Sequence, residues 1–215
     1  KSSSNGLFYA NIIADEVFQG ATTETLSISN TNLLMDGWLF RCNVMTETCA
    51  KMSASAVLTV AGMEQEIELS AGWNSLSTFI DPTSDDIETV LADIMSSLVI
   101  LLGDDGFYYP ATNTNTLGNF DPTAGYALKL VTNGTLHISG LRNPNNQMAI
   151  PAGWSYLPII SECNHNILDL FDVGIQDIIV IKEIAGSNVF WPEKSITTLQ
   201  VLQTGKAYLI QTANT

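Results

Sequence analysis

Residues 69–80 read LSAGWNSLSTFI, and residues 150–161 read IPAGWSYLPIIS. Ala71-Gly72-Trp73 returns as Ala152-Gly153-Trp154, and the agreement continues beyond the phrase. After each copy comes a turn and a short helical pattern. Ile87, Val90, Leu91 and Ile94 recur at the spacing of one helix face. Thr83 or Asp85 is placed to cap that helix, and Asp85, Asp86 and Glu88 suit the positive end of its dipole. In the second copy Asn166 precedes Ile167, Leu170 and Phe171, and Gly174 is expected to end the helix. The strands then answer one another in order. LVILL (98–102) matches IIVI (178–181), and FYYP (107–110) matches VFWP (189–192). NTLGNF (115–120) matches TTLQVL (197–202), and GYALKLV (125–131) matches GKAYLIQ (205–211). The first copy adds a further strand, GTLHISG (134–140), and Asn-rich LRNPNNQM (141–148) links the copies. The phrase recurs because a strand–helix–strand–strand–strand unit recurs.

Residues 1–61 carry strand alternation and no helical period. TETLSI (23–28) alternates, GWLFRCNV (37–44) puts Trp38, Phe40, Cys42 and Val44 on one side, and ASAVLTV (54–60) is a third strand. The expected fold is mainly β with two short helices. Residues 1–61 form a partial β-sandwich, and residues 62–142 and 143–215 form two tandem α+β units. Each unit is small, so their mutual interface is expected to matter for stability.

Two resemblances follow from these residues. ATTETLSISN, DGWLFRCNV and SASAVLTV resemble the C-terminal half of an immunoglobulin-like module of bacterial surface proteins. Phe40-Arg41-Cys42 matches the spacing of the aromatic two residues before the strand-F cysteine, with Phe in place of Tyr, so the corner hydroxyl bond is lost. The first strands of such a sandwich and its partner cysteine have no counterpart upstream. The segment is then a fragment of a longer chain, the preferred reading, or a half-module leaning on its neighbour or completed by a dimer. The paired units, residues 67–214, resemble the "GWN" repeats that occur in tandem in secreted and cell-surface proteins of bacteria (Bacteroidota-like) and archaea. The resemblance implies a surface location and a multidomain parent, and it carries over no catalytic residue.

The totals agree with that setting. The chain has 215 residues, 46% of them apolar, and 22 acidic against 8 basic side chains give a net charge of −14. Nucleic-acid binders need Lys and Arg to displace counterions, so this surface excludes a polyanion partner. Anionic membranes are disfavoured on the same ground. LVILL is the longest apolar run and is too short to insert in a bilayer. The opening residues show no apolar signal-peptide core. Low Lys and abundant Thr, Ser and Asn favour an extracellular or cell-surface protein over a cytosolic one.

Little in the sequence points to catalysis. Nucleophilic chemistry needs Ser or Cys with a histidine base, and only His137 and His165 are present. His137 alternates with apolar neighbours, as on a strand. Glu162, Cys163 and His165 match no zinc spacing, so no metal is assigned. The acids of DPTSDD (81–86) offer oxygen ligands for calcium without EF-hand spacing. Cys42 and Cys49 could staple a hairpin, leaving Cys163 free. The aromatics are the remaining lead, because a Trp or Tyr face stacks on a sugar ring. Trp73 and Trp154, with Phe40, are assigned structural roles in the core. Neighbours on a strand face opposite ways, so Tyr108 with Phe190 and Tyr109 with Trp191 split into a buried and an open pair. Tyr109 and Trp191 are the candidate ligand-binding pair. The expected function is a non-catalytic spacer, stalk or adhesin segment, or alternatively a carbohydrate-binding module, with glycans or other domains of the parent as partners.

Overall fold

The computed structural model describes residues 2–3, 8–29, 31–46, 48–144, 147–171 and 174–213. Asn145 and Asn146 of the linker, and Asn214 at the close of the repeat match, lie outside them. The chain divides into two compact units, Lys1–Gly62 and Met63–Thr215. The fold is mainly β, with every paired strand antiparallel.

The first unit is a set of short pairings. Ser2–Ser3, Leu39–Phe40 and Ala56–Val57 make a three-stranded sheet, Phe18–Gln19 pairs with Ser27–Ile28, and Asn43–Met45 pairs with Ala50–Met52. The single strand expected over 37–44 is therefore two strands with a break at Arg41-Cys42. Phe40 is half-buried, tilted against Phe18 at 6.2 Å. Among the described residues of this unit only Met35 is buried, which suits a 62-residue segment with little interior to fill. The Cys42–Cys49 staple is overturned by register. Cys42 faces Ser53, whose N–H donates to its carbonyl at 2.9 Å, while Cys49 faces Thr46 at the other end of the hairpin. Four residues of strand separate those levels, roughly 13 Å, against a Cα limit of about 7 Å for a bridge. All three cysteines are free and exposed.

From Met63 onward the strands are β1 (Met63–Leu69), β2 (Gly72–Leu76), β3 (Ile80–Pro82), β4 (Leu98–Leu102), β5 (Phe107–Tyr109), β6 (Thr114–Asn115), β7 (Tyr126–Leu130) and β8 (Gly134–Arg142). The second copy supplies β9 (Gly153–Pro158), β10 (His165–Asn166), β11 (Ile178–Glu183), β12 (Val189–Trp191), β13 (Ile196–Thr197), β14 (Val201–Leu202) and β15 (Ala207–Thr212). Two five-stranded sheets have the same order, β6-β5-β4-β7-β2 and β13-β12-β11-β15-β9. Local details repeat as well. A bulge interrupts β4 between Leu98 and Ile100, and β11 between Ile178 and Val180. Thr116 Oγ accepts from Phe107 N–H at 2.9 Å, and Thr198 Oγ accepts from Val189 N–H at 2.9 Å. The buried Tyr126 and Tyr208 hydroxyls each accept a backbone N–H from five residues upstream at 2.8 Å. Burial pushes the Tyr126 phenol up to about 12.

The helices form where the apolar spacing puts them. Ile87–Val90 is α-helical and continues as a 3-10 helix to Ser97, burying Ile87, Val90, Leu91 and Ile94. Its cap is Asp86, not Thr83 or Asp85, with the carboxylate accepting Thr89 N–H at 2.8 Å. Asn166 caps the second helix, Ile167–Leu170, by accepting Leu168 N–H at 2.9 Å. That helix stops at Leu170, and Gly174 opens the following 3-10 turn with φ near +100°.

In the first copy β1, β8 and β3 make a second sheet, order β3-β8-β1, over the five-stranded one. Ile67, Leu69, Ile80, Leu136 and Ile138 of this sheet join the core built on Leu76, Leu101, Leu128 and Leu130. The second copy has a smaller core around Leu157, Ile181, Tyr208 and Ile210. The copies interlock reciprocally. Buried Ser77 donates its hydroxyl to the Lys206 carbonyl at 2.7 Å and accepts Ile159 N–H at 3.1 Å, while Ser77 N–H donates to the Gly205 carbonyl at 3.1 Å. In return the Asp104 carboxylate accepts Tyr156 N–H at 3.0 Å. Tyr126 opposes Leu76 as Tyr208 opposes Leu157, so the sheet register moves the expected match of Gly125 with Gly205 on by two residues, and Gly125 lies against its structural counterpart, Ala207. Equivalent residues touching each other is the mark of a local two-fold relation.

Candidate functional site

Gly72 and Gly153 begin the edge strands β2 and β9 with φ of +98° and +94°. That left-handed backbone is open to glycine and costly for most L-residues, which accounts for the glycine of both phrases. The turn it makes decides where the tryptophans point. Along β2, Leu76 is fully buried, and period two puts Trp73 on the opposite face. Along β9, Leu157 does the same to Trp154. The core placement expected for Trp73 and Trp154 is thus overturned: they are 46% and 52% exposed. Lys129 Nζ sits 6.0 Å from the Trp73 ring centre, and Lys182 Nζ sits 5.5 Å from that of Trp154. The two lysines come from non-equivalent strands, so each copy reaches the same pairing by a different route.

Directly opposed residues of an antiparallel sheet share a face. Trp73 opposes Lys129, which opposes Ile100. Leu101 opposes Tyr108, so the next step sets Ile100 beside Tyr109, and Tyr109 opposes Thr114. The second copy repeats the row as Trp154, Gln211, Val180, Trp191 and Ile196. Each outer face therefore carries an indole at one end and Tyr109 or Trp191 three strand spacings away, roughly 14 Å. Tyr108 and Phe190 are buried, while Tyr109 and Trp191 are half-buried. Trp191 Nε1 is buried without a hydrogen-bond partner.

A groove of about 610 Å³ runs beside the Trp73 end of the row. Trp73, Asn74, Glu64, Glu66, Glu68 and Glu183 are among its lining. Asn74 is already used by the turn, accepting Ser70 N–H at 2.9 Å and donating to the Ser70 carbonyl at 2.7 Å. Glu64, Glu66 and Glu68 project because β1 alternates strictly, with Gln65, Ile67 and Leu69 turned inward. Their negative field repels acidic ligands.

The remaining candidates fall elsewhere. His137 Nδ1 lies 2.9 Å from Asp93 Oδ2 on the surface of β8. The hydrogen bond to Asp93 raises the imidazole above its ordinary range, and Asp93 is held low chiefly by the His137 backbone N–H. Glu162 pairs with Arg142 at 3.3 Å. Asp85 accepts Asn119 Nδ2 at 2.6 Å, and Asp86 is the helix cap, so local bonds employ two of the acids of 81–86. Among the described residues no group of three or more His, Cys, Asp and Glu could hold a metal ion. No helix among them is long and apolar enough to cross a membrane.

Sequence reasoning found the Tyr109 and Trp191 ends of the rows and missed the Trp73 and Trp154 ends. The signal was there: Trp73 and Leu76 stand an odd number of residues apart, so one strand cannot turn both inward. What the fold and face define is a mainly β protein with two copies of one antiparallel unit and an aromatic row on each. No family model, curated protein or solved structure matches the chain.

Proposed function

We propose that this chain is a non-catalytic recognition module of a secreted or cell-surface protein, and that it holds uncharged polysaccharide across the outer faces of its two five-stranded sheets. The observation that carries the reading is the repeated row, with Trp73 and Trp154 left half in solvent at equivalent places. An indole whose role was packing would be buried. An exposed indole with a second aromatic about 14 Å away on the same sheet face suits the apolar faces of successive sugar rings. The net charge of −14 and the glutamates of the adjoining groove argue against acidic glycans. The surface location rests on the resemblance to tandem repeats of surface proteins.

The test is a binding screen with neutral and acidic polysaccharides, read by the shift and quenching of tryptophan fluorescence and by calorimetry. Neutral chains are expected to bind. Trp73→Ala with Trp154→Ala is expected to weaken binding at least tenfold while circular dichroism stays unchanged, since both side chains are exposed. Tyr109→Ala alone is expected to give a smaller loss. Absence of binding to every neutral chain overturns the proposal. It would leave a rigid spacer, a role that the interlock at Ser77 suits.

A further inference from the structure

We infer that β1 accepts an extended, basic segment of a partner protein, which adds to the sheet β3-β8-β1 along the outer edge of β1. β1 stands at one end of that sheet and, among the described residues, pairs with β8 alone. Its other edge opens into the groove of about 610 Å³ that Trp73 also lines. Every residue from Glu64 to Leu69 borders that groove, as a strand met edge-on must.

Two hydrogen bonds of β8 fix which backbone groups of β1 face the groove. Asp93 accepts His137 N–H at 2.9 Å, and the Ser139 carbonyl accepts Thr83 N–H at 3.4 Å. Both groups of β8 therefore point away from β1. Residues directly opposite in an antiparallel pair exchange both of their bonds or neither. Glu66 opposes His137 and Glu64 opposes Ser139, so neither pair is bonded. Glu68, opposite Thr135, follows by the period of two. Glu64, Glu66 and Glu68 thus turn N–H and C=O toward the open edge, while Gln65 and Ile67 spend theirs on β8. The same three glutamates send their side chains to the outer face. One set of residues presents both the unpaired backbone and the charge.

That coincidence states the occupant's chemistry. An added strand sets one residue directly opposite each glutamate, with its side chain on the same face. Lys or Arg at alternate positions answers that row, and an acidic strand is repelled by it. Ser139 Oγ donates to Glu64 at 3.2 Å and Thr135 Oγ donates to Glu68 at 3.0 Å, which holds both carboxylates over the face in advance. A second copy pairing through its own β1 would set glutamate against glutamate, so the row also guards the edge against self-association. Segments of these 215 residues do not match either, because no seven-residue stretch, the length of β1, holds two Lys or Arg side chains. The mode is strand addition, with affinity from the backbone and selectivity from the charge.

The probe is a capped peptide, Lys-Val-Lys-Val-Lys-Val-Lys, titrated into the full chain and followed by calorimetry and amide hydrogen exchange. Saturable binding is expected, weakening as salt rises from about 0.05 M to about 0.3 M. Exchange is expected to slow at Glu64, Glu66 and Glu68, which exchange fast in the free protein, and to stay slow throughout at Gln65 and Ile67. A peptide with Glu in place of Lys is expected to bind at least tenfold more weakly. So is the lysine peptide methylated on the backbone nitrogens of its lysines, which keeps the charge and blocks the pairing. In the protein, Glu64→Lys with Glu66→Lys and Glu68→Lys is expected to reverse the preference between the two peptides with circular dichroism unchanged, since all three side chains are exposed. Glu66→Gln alone is expected to give a smaller loss in the same direction. Failure of the lysine peptide to bind overturns the inference, and so does equal binding of the glutamate or the methylated peptide. Slow exchange at Glu64, Glu66 and Glu68 in the free chain overturns it as well, because that edge would already be paired.

Discussion

Ser77 has no exposed surface, yet its hydroxyl serves groups of the other copy on both sides. Removing the oxygen leaves the Ile159 N–H and the Lys206 carbonyl with only their own long bond of 3.3 Å to each other in the interior. Leaving such groups unmet costs about 1–3 kcal/mol. Ser77→Ala is expected to destabilise the Met63–Thr215 unit by about that amount in urea unfolding. A change below a few tenths of a kcal/mol would mean that water replaces the hydroxyl. His137 makes a residue-level prediction of another kind. Its imidazole is raised by Asp93, so the stability it contributes is fully present below about pH 6.5 and is lost as pH rises through the higher folded value. Asp93 is lowered from 3.8, so its contribution fades only in acid. The wild type is expected to exceed His137→Gln in stability by more at about pH 5.5 than at about pH 8. Both side chains are 44% exposed, so the difference will be small and will shrink with salt. An equal gap at the two pH values would dismiss the ion pair.

Among the elements, those set by periodicity were legible in the sequence. The helix face of Ile87, Val90, Leu91 and Ile94, the Asn166 cap and the paired strands of the repeat stand where the spacing put them. Elements set by pairing partners were not. The alternation of Glu64 to Leu69 is plain in β1, but its partner β8 lies 65 residues on and no local signal joins them. The hairpin of Cys42 and Cys49 fails for a related reason: separation in sequence does not give register, and register decides whether two cysteines meet. Tryptophan size was a poor guide beside strand parity, which is why the outer rows were only half foreseen. One repeated element also exposes a local strain. The 3-10 turns Pro110–Thr112 and Pro192–Lys194 both end on a left-handed residue, Asn113 at φ 50° and Ser195 at φ 55°. Asn tolerates that region better than Ser. Ser195→Asn is expected to stabilise the protein by up to about 1 kcal/mol, seen as a higher thermal midpoint. A lower midpoint would show that the Ser195 side chain has a role the turn needs.

At the scale of the whole molecule, the two copies of the Met63–Thr215 unit divide their stabilisation unequally. The first has a three-stranded sheet over its five-stranded one, whereas the second has beside its five-stranded sheet only the short pairing of β10 with β14, and a smaller core. A lone unit of the second kind has little apolar area to set against its chain entropy. Its structure therefore leans on the first copy through Ser77, Asp104 and the contact of Gly125 with Ala207. If so, the copies unfold together. Gly125 tests this, because a Cβ there would stand 2.8 Å from the Tyr156 Cβ and 2.9 Å from the Ala207 Cβ. Real packing does not tolerate such distances, and the interface must open to relieve them. Gly125→Ala is expected to cost about 1–3 kcal/mol. The loss should lower one shared transition, reported alike by Trp73 in the first copy and by Trp154 and Trp191 in the second. Comparing single-tryptophan variants in calorimetry and fluorescence decides the matter. Coincident midpoints that fall together mean one cooperative body. A second-copy midpoint that falls while the first stays fixed means that the interface supports only the weaker partner.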